Sequence, residues 1–399
     1  MFLGGLKANK KSSLPYTLPE ALRGAERLAL VLAFGRLSVL EACSTLRSVT
    51  KVEVPCERIC VVELDPSSVR SVTKLAGIHK FSPLLTHFQG DEAVIHRLVE
   101  RITDEIDVSR FALSAYDTEE DDYEVLVRLL LDAFRQAGLK KIRLLRPKGN
   151  ELLADQVVSR DALDLIAFPY KGGYGLGPTA WVPDVAPMRK RGVEKPAPHS
   201  EISLSPRLAQ LLLNLSGLSP GQRLLDPFCG SGTIISEGAL MSLNCTGIDS
   251  NPVRVAQAKR NLAWVEKQSG RTLAHDLRTG DARDFEGRFD GIVTEPILLP
   301  RFHSTPSSQK AKRLVNKASR VYSESLYSMA DAVRKGGRIV IVVPTLKTDG
   351  SEVLLRLEET ESIGLKEFQP GHVRFEYPVR AAFQSTRWLG RAVYAFERI

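Results

Sequence analysis

The stretch LLDPFCGSGTIISEG, residues 224–238, holds the residue types from which a ligand pocket is built. An apolar run ends in Asp226 and Pro227, and Gly230 and Gly232 then flank Ser231 where a strand should become a helix. A Gly-x-Gly turn lets the backbone bend sharply and lets a ligand approach where a Cβ would obstruct it. The helix start behind it offers N–H groups without intrahelical partners, which suit a carboxylate or another anionic group. Two further acids end later apolar runs: Asp249 in CTGIDSNP, nineteen residues after Gly230, and Asp281 in TGDAR. In an open α/β sheet, an acid after the second strand can accept both hydroxyls of a ribose. An acid after the third is placed to accept from an adenine amino group. Thr233, Ile234 and Ile235 follow Gly232, so the full Gly-x-Gly-x-x-Gly of a dinucleotide site is missing. Taken singly, the turn reads as a structural bend and each acid as a solvated strand end. Together they fit S-adenosylmethionine.

Such a set must sit on a largely parallel, doubly wound sheet, and the second half of the chain alternates strand and helix patterns accordingly. SPRLAQLLLNLSG reads as a helix with a Ser-Pro start and a stop at Gly217. QRLLDPF, CTGIDS, FDGIVTEP and GGRIVIVVPT read as strands, with helices SGTIISEGALMSL and NPVRVAQAKRNLAWVEKQSG between them. Pro252 falls in the first turn of the latter, where its missing N–H does no harm. FEYPVRAAF and the last ten residues, Gly390–Ile399, alternate as two strands suited to an antiparallel edge. The first half reads as mixed α/β. RLALVLAF, RICVVELD and RFALSAYD are strand-like; VLEACSTL, PSSVRSVTKLAG, DEAVIHRLVERITDEI and YEVLVRLLLDAFRQAG are helix-like, the last ending at Gly138. Glycine, proline and charge dominate from Phe168 to Ser200, the signature of a linker.

A chain of 399 residues suggests two or three domains, and 43% hydrophobic with 26% charged residues is typical of a globular protein with a sizeable core. No apolar run is long enough to cross a bilayer, and MFLGGLKANKKSS lacks the apolar segment of a secretory signal. A cytoplasmic setting is expected. Five scattered cysteines read as reduced thiols rather than a disulfide framework, and no metal site is expected, Cys56 and Cys60 included. The net charge of +8 permits a polyanionic partner. Three clusters, Lys140–Lys148, Met188–Lys195 and Gln309–Arg320, sharpen that toward nucleic acid, although each alone is an ordinary solvated face.

LLDPFCGSGTIISEG with GIDSNP resembles methyltransferases whose first motif is Asp-Pro-Phe-Cys-Gly-(Ser/Thr)-Gly and which modify exocyclic base amines. The whole second half is similar to the THUMP-containing tRNA guanine-N2 methyltransferases that act on guanosine 10. LSPRLAQLLLNLSGLSPG resembles that family's helix before the motif, and Tyr377–Ile399 its closing strands. LALVLAFGRLSVLEACSTL and FALSAYD resemble its opening elements more loosely. The resemblance implies an α/β chain: a C-terminal class I SAM-methyltransferase domain, Rossmann-like with a largely parallel sheet, behind an N-terminal α+β THUMP-like RNA-binding half. The expected division is 1–90 ferredoxin-like, 91–170 THUMP-like, 171–200 linker and 201–399 methyltransferase. It implies a cofactor set of Asp226, Pro227, Gly230, Ser231, Gly232, Asp249, Ser250, Asp281 and Ala282. The implied partner is tRNA, with no membrane, and the chain is expected as a monomer, with a small activator protein or none.

The catalytic motif departs from the family's Asp-Pro-Pro-Tyr. Glu295, Pro296, Ile297 and Leu298 stand there. Glu295 keeps an acceptor carboxylate on a longer stem, whereas Leu298 gives up aromatic stacking of about 1–3 kcal/mol per base. Tyr322 or Phe302 are alternative sources of an aromatic face, and His199 is either a linker histidine or a cofactor contact. Two other readings stay open: an RNA-binding protein with an inactive methyltransferase domain, and a DNA amino-methyltransferase, whose first motif DPFCGSGT also resembles.

Overall fold

The computed structural model describes residues 26–197, 204–296, 299, 302, 304–384 and 388–399. The chain divides into two units. The N-terminal unit takes in the chain up to Ala33, Leu46–Lys74 and Ile78–Asp184; the C-terminal unit takes in Phe34–Thr45, Leu75–Gly77 and Val185–Ile399.

In the N-terminal unit, β1 (Arg27–Leu32), β2 (Val49–Cys56), β3 (Ile59–Leu64) and β4 (Ile78–Pro83) form an antiparallel sheet in the order β2-β3-β1-β4. Between the first two strands the chain leaves this unit to form α1 (Arg36–Thr45). The helix expected over PSSVRSVTKLAG is a 3-10 helix, Pro66–Lys74, in which Ser71 and Thr73 bond backbone carbonyls three residues back. A second sheet follows from β5 (Thr86–Phe88), α2 (Glu92–Thr103), β6 (Arg110–Ala115), α3 (Glu120–Gln136), β7 (Arg143–Leu144), α4 (Ala154–Ser159), β8 (Leu163–Tyr170) and β9 (Gly173–Pro178), with strands ordered β5-β9-β8-β6-β7. Helices α2 and α3 pack their apolar stripes, Ile95, Val99, Leu126 and Leu130 among them, onto this sheet.

The stretch expected as a linker, 171–200, carries β9 and the helix α5 (Ala186–Val193). The glycines are there for close packing and not for flexibility. A Cβ on Gly173 would lie 2.0 Å from the Phe88 carbonyl oxygen, and one on Gly177 would lie 1.8 Å from that of Pro83. Only a bare backbone fits between those neighbours. Within this unit a buried lysine ties the two sheets together. Lys80 on β4 donates to Asp164 of β8 (2.7 Å), Ser114 of β6 (2.9 Å) and the Leu152 carbonyl (3.0 Å). Each hydrogen of the ammonium thus has an acceptor, the condition for burying such a charge.

The C-terminal unit runs α6 (Pro206–Ser216), β10 (Arg223–Asp226), α7 (Thr233–Leu240), β11 (Asn244–Asp249), α8 (Pro252–Ser269), β12 (His275–Thr279), β13 (Phe289–Thr294), α9 (Ser308–Ala332), β14 (Val333–Thr348), β15 (Ser351–Leu354), β16 (Leu365–Glu367), β17 (Val379–Gln384) and β18 (Leu389–Arg398). Among the described residues the strand order is β12-β11-β10-β13-β14-β18-β16, with β15 on β14 and β17 on β18. Strands β10 to β14 pair in parallel and β18 enters antiparallel, as expected of a largely parallel Rossmann-like sheet. One expectation is corrected here: the closing strand β18 is no edge. It lies between β14 and β16 with Leu389–Phe396 buried throughout, because this run is apolar apart from Arg391, whose charge Glu295 meets. The local caps are as read. Ser205 accepts from Leu208 N (3.2 Å) with Pro206 behind it, and Gly217 ends α6 at φ 68°. Asn251 caps α8 before Pro252.

Helix α1, early in the chain, packs in this C-terminal unit. Its fully buried Glu41 accepts from Ala76 N (2.8 Å), Gly77 N (2.7 Å) and Asn214 of α6 (2.6 Å). Burial still pushes the Glu41 carboxyl from 4.5 to about 6, against those bonds and Arg207.

Candidate active site at the tips of the parallel strands

The parallel strands deliver four carboxylates to one edge of the sheet. Asp226 ends β10, Asp249 ends β11, Asp281 lies two residues past β12, and Glu295 directly follows β13. The Gly-x-Gly bend joins β10 to α7, with Gly230 at φ 51° and Gly232 at φ 82°, left-handed values that glycine tolerates best. Gly232 has a second constraint, since a Cβ there would lie 3.0 Å from Ala258 Cβ and Leu262 Cδ1. Over Gly230 the space is open, the nearest atom to such a Cβ being 4.0 Å away. Asn261, 2% exposed on α8, holds the bend by donating to the Ser231 carbonyl (2.9 Å) while accepting from Ala197 N (3.0 Å).

Asp249 binds the bend from the neighbouring strand. Its Oδ2 accepts from Gly230 N (2.9 Å) and its Oδ1 from Asn251 N (2.9 Å). One lone pair remains on each oxygen, the geometry a vicinal diol requires. Asp226 is 1% exposed, and both of its hydrogen bonds fall on Oδ1, from Thr294 Oγ1 (2.7 Å) and Phe228 N (3.1 Å). Burial, reinforced by the charges of Asp249 and Glu295, raises its carboxyl from 3.8 to about 7. Pro227 beside it is buried, Ser231 is half-buried and Ser250 is exposed at the tip of β11.

Asp281 and Glu295 differ, because each meets an arginine. Asp281 accepts from the Arg283 guanidinium at 2.6 and 2.9 Å and from the Arg283 backbone N at 2.9 Å, which lowers its carboxyl to about 2. Arg283 also reaches Glu324 of α9 (3.0 Å), and Ala282 between them is buried. Glu295 Oε1 accepts from Arg391 Nε of β18 at 2.5 Å, while its Oε2 lies 3.4 Å from Nη2. The side chains are 11% and 2% exposed, and burial raises the Glu295 carboxyl in spite of the arginine. Pro296 is buried, and Ile297, Leu298 and His199 lie outside the described residues.

Tyr322 lies near Glu295: burial first, and then the charge of that carboxylate, raise its hydroxyl pKa. It is fully buried in the core, and its hydroxyl donates to the Val342 carbonyl (3.2 Å). Phe302 lies 5.4 Å from Lys310 Nζ, centroid to nitrogen. Sequence patterning did not single out Thr294, Asn261 or Arg391, and it read Lys195 only as the end of a basic cluster. Lys195 donates to Thr233 Oγ1 (3.2 Å) at the start of α7, and burial lowers its pKa. For Arg391 a signal existed: an arginine inside the apolar run Leu389–Phe396 demands a buried acid. Among the described residues no His, Cys, Asp or Glu cluster could hold a metal ion, and no helix is long and apolar enough to cross a membrane.

The donor set fits a sulfonium nucleoside. Open space over the bend, an acceptor pair at Asp249 and an excess of negative charge around Asp226 suit a cationic ligand carrying a diol.

Comparison with known proteins agrees. Residues 191–369 match the family model UPF0020, an RMKL-like methyltransferase domain. A tRNA (guanine(10)-N2)-dimethyltransferase of Methanothermobacter thermautotrophicus is 35% identical over 144 residues, 36% of this chain and 39% of the relative. A probable tRNA (guanine(10)-N2)-dimethyltransferase of Methanothermococcus thermolithotrophicus is 31% identical over 134 residues, 32% of this chain and 81% of the relative. The match thus spans about two fifths of the first relative's length and four fifths of the second's. The crystal structure of TrmN from Thermus thermophilus shares the fold, with a TM-score of 0.54 at 17% identity over 94% of this chain and 99% of that one.

Proposed function

This chain belongs to the tRNA guanine-N2 methyltransferase family, and from that premise we propose that it methylates an exocyclic amine of tRNA, N2 of a guanosine of the position-10 type. S-adenosylmethionine is the methyl donor, and when bound it supplies an activated methyl group with a neutral leaving group. The chain's own residues do the rest. Asp249 accepts the ribose hydroxyls, and Asp226 with Asp249 sets a negative potential that favours a cation. Asp281, once released from part of its arginine contact, accepts from the adenine amine. Pro227, Gly230, Ser231, Gly232, Ser250 and Ala282 form the walls around them.

The observation that carries the proposal is the unequal grip on Glu295. Arg391 holds Oε1 at 2.5 Å but leaves Oε2 at 3.4 Å. Oε2 is therefore the freer acceptor for the N–H of a base extruded from its stack. Holding that hydrogen aligns the nitrogen lone pair and raises its electron density. A carboxyl raised by burial also takes up the proton more readily once the new bond has formed. Pro296, buried, directly follows Glu295.

Incubation of the protein with tRNA and labelled S-adenosylmethionine tests this, followed by nucleoside mass spectrometry. The expected product is N2-methylated guanosine in tRNA. Glu295→Gln should lose at least about a hundredfold in rate with donor affinity kept. Tight RNA binding without transfer by the unaltered protein would establish the non-catalytic reading instead, and transfer to duplex DNA but not tRNA would establish the third.

A further inference from the structure

Helix α9 distributes its charge against its own stability. Its first thirteen residues contain Lys310, Lys312, Arg313, Lys317 and Arg320 and no acid; the last twelve contain Glu324 and Asp331 and no base. A helix dipole favours the reverse order, with acids at the N-terminal turn and bases at the C-terminal turn. Lys310, Arg313, Lys317 and Arg320 also follow one another at spacings of three and four, so they repel along a single stripe. The opposite face is committed to the core through Ala311, Val315, Ala318, Tyr322 and Met329. Folding of the helix thus does not explain the stripe. Glu324 does not neutralise it either, since that carboxylate is shared between Arg320 (2.7 Å) and Arg283 (3.0 Å) at the far end.

The fold brings the basic half of α9 to the catalytic edge. Ser308, its first residue, is 3.0 Å from Thr348 Oγ1, at the C-terminal end of β14. The opposite end of the helix lies at the other edge, where Arg288, just before β13, donates to the Asp331 carbonyl. Thr294 pairs with Ile341, and Tyr322, two residues past the last cation of the stripe, donates to the Val342 carbonyl, so the Arg320 end of the stripe is the end nearer Glu295 and the other cations run outward from it. From Lys310 to Arg320 the stripe runs about 15 Å and covers about a quarter of the helix circumference. One strand of a duplex presents a phosphate about every 3.4 Å of axis, so about four phosphates face four cations. On one flank of the stripe Gln309, Lys312, Asn316 and Ser323 are polar and exposed, and on the other Leu314 and Val321 are half-buried. A lipid surface would need fully exposed apolar side chains beside the stripe.

We propose that the Lys310–Arg313–Lys317–Arg320 stripe is the docking surface for the RNA phosphate backbone next to the methylated base. This rests on the tRNA reading above, and the test separates the two. Full-length protein carrying Arg313→Gln, Lys317→Gln and Arg320→Gln is compared with a charge-matched control on α8, Lys259→Gln, Arg260→Gln and Lys267→Gln. Affinity for unmodified tRNA is measured at several salt concentrations, together with donor affinity, Tm and methyl transfer. The α9 variant should lose about two to three from the slope of log K against log salt, about one per phosphate contact. Its donor affinity should be unchanged, and its Tm equal or higher, because like-charge repulsion has been relieved. The control should lose less than one from the slope. Equal slopes for the two variants, or a lowered Tm in the α9 variant, would overturn the proposal. If the unaltered protein transfers no methyl group to tRNA yet shows the α9 slope change, the catalytic reading falls and the docking surface stands.

Discussion

The two sides of the strand-tip crevice handle negative charge differently. At β10 and β11, Asp226 and Asp249 are satisfied by backbone amides and one hydroxyl, with no cation among the described residues. At β12 and β13, Asp281 and Glu295 are each matched to an arginine. The first pair has no counter-ion among the described residues and suits a cationic ligand. The second pair is balanced in advance and suits neutral groups, a base amine and an adenine. Asp226, raised to about 7, and Asp281, lowered to about 2, reflect this, whereas burial raises the Glu295 carboxyl in spite of its arginine.

The most damaging way to break this comparison is to remove the buried counter-ion. Arg391→Leu strands Glu295 in the interior and should cost about 3–5 kcal/mol of stability, read by denaturant unfolding. Arg391→Lys should recover part of that stability and of the methyl transfer. Unchanged stability in the leucine variant would mean that Glu295 is neutral in the fold.

Next, Asp249→Ala should weaken donor binding by about 10- to 100-fold, the loss of hydrogen bonds to a charged group. Calorimetric titration reads this. Asp281→Ala should weaken it less, since Asp281 must first give up arginine contacts. A reversed order would refute the division into two sides.

Protonation of Asp226 sharpens the contrast. Because burial raises this carboxyl above its unfolded value of 3.8, its ionisation costs stability. The favourable contribution is complete below about pH 4 and is lost as pH rises through about 7, a swing on the order of 4 kcal/mol. A cation bound beside it pulls the carboxyl down again, so donor binding at pH 7 should release about half a proton. Titrations in buffers of different ionisation enthalpy measure that proton, and Asp226→Asn should abolish it.

The smallest effect is expected at Arg283. Arg283→Ala should let the Asp281 carboxyl climb from about 2 toward 3.8 in an NMR titration, with Tm unchanged because both groups face solvent. A carboxyl that stays near 2 would place the cause elsewhere.

What was legible in the sequence was local. Gly217 as a stop, Asn251–Pro252 as a start and the Asp-Pro-Phe-Cys-Gly-Ser-Gly bend all act within a few residues, so their types carry their geometry. The glycine run at 171–178 misled for a related reason: local composition cannot distinguish a bend from a strand pressed against carbonyls at 1.8–2.0 Å from a would-be Cβ.

From the chain's order of residues alone came the alternation of strands and helices, the bend, and the acids at successive strand tips. Apolar periodicity and capping are enforced by neighbours, so they can be read without coordinates. Tertiary structure alone decided that Glu295 would meet Arg391, 96 residues away, that β18 would be interior, and that α1 would pack on α6 through Glu41 and Asn214. Those outcomes depend on which distant groups burial forces together, and the desolvation that sets their charge exists only once the chain has closed around them.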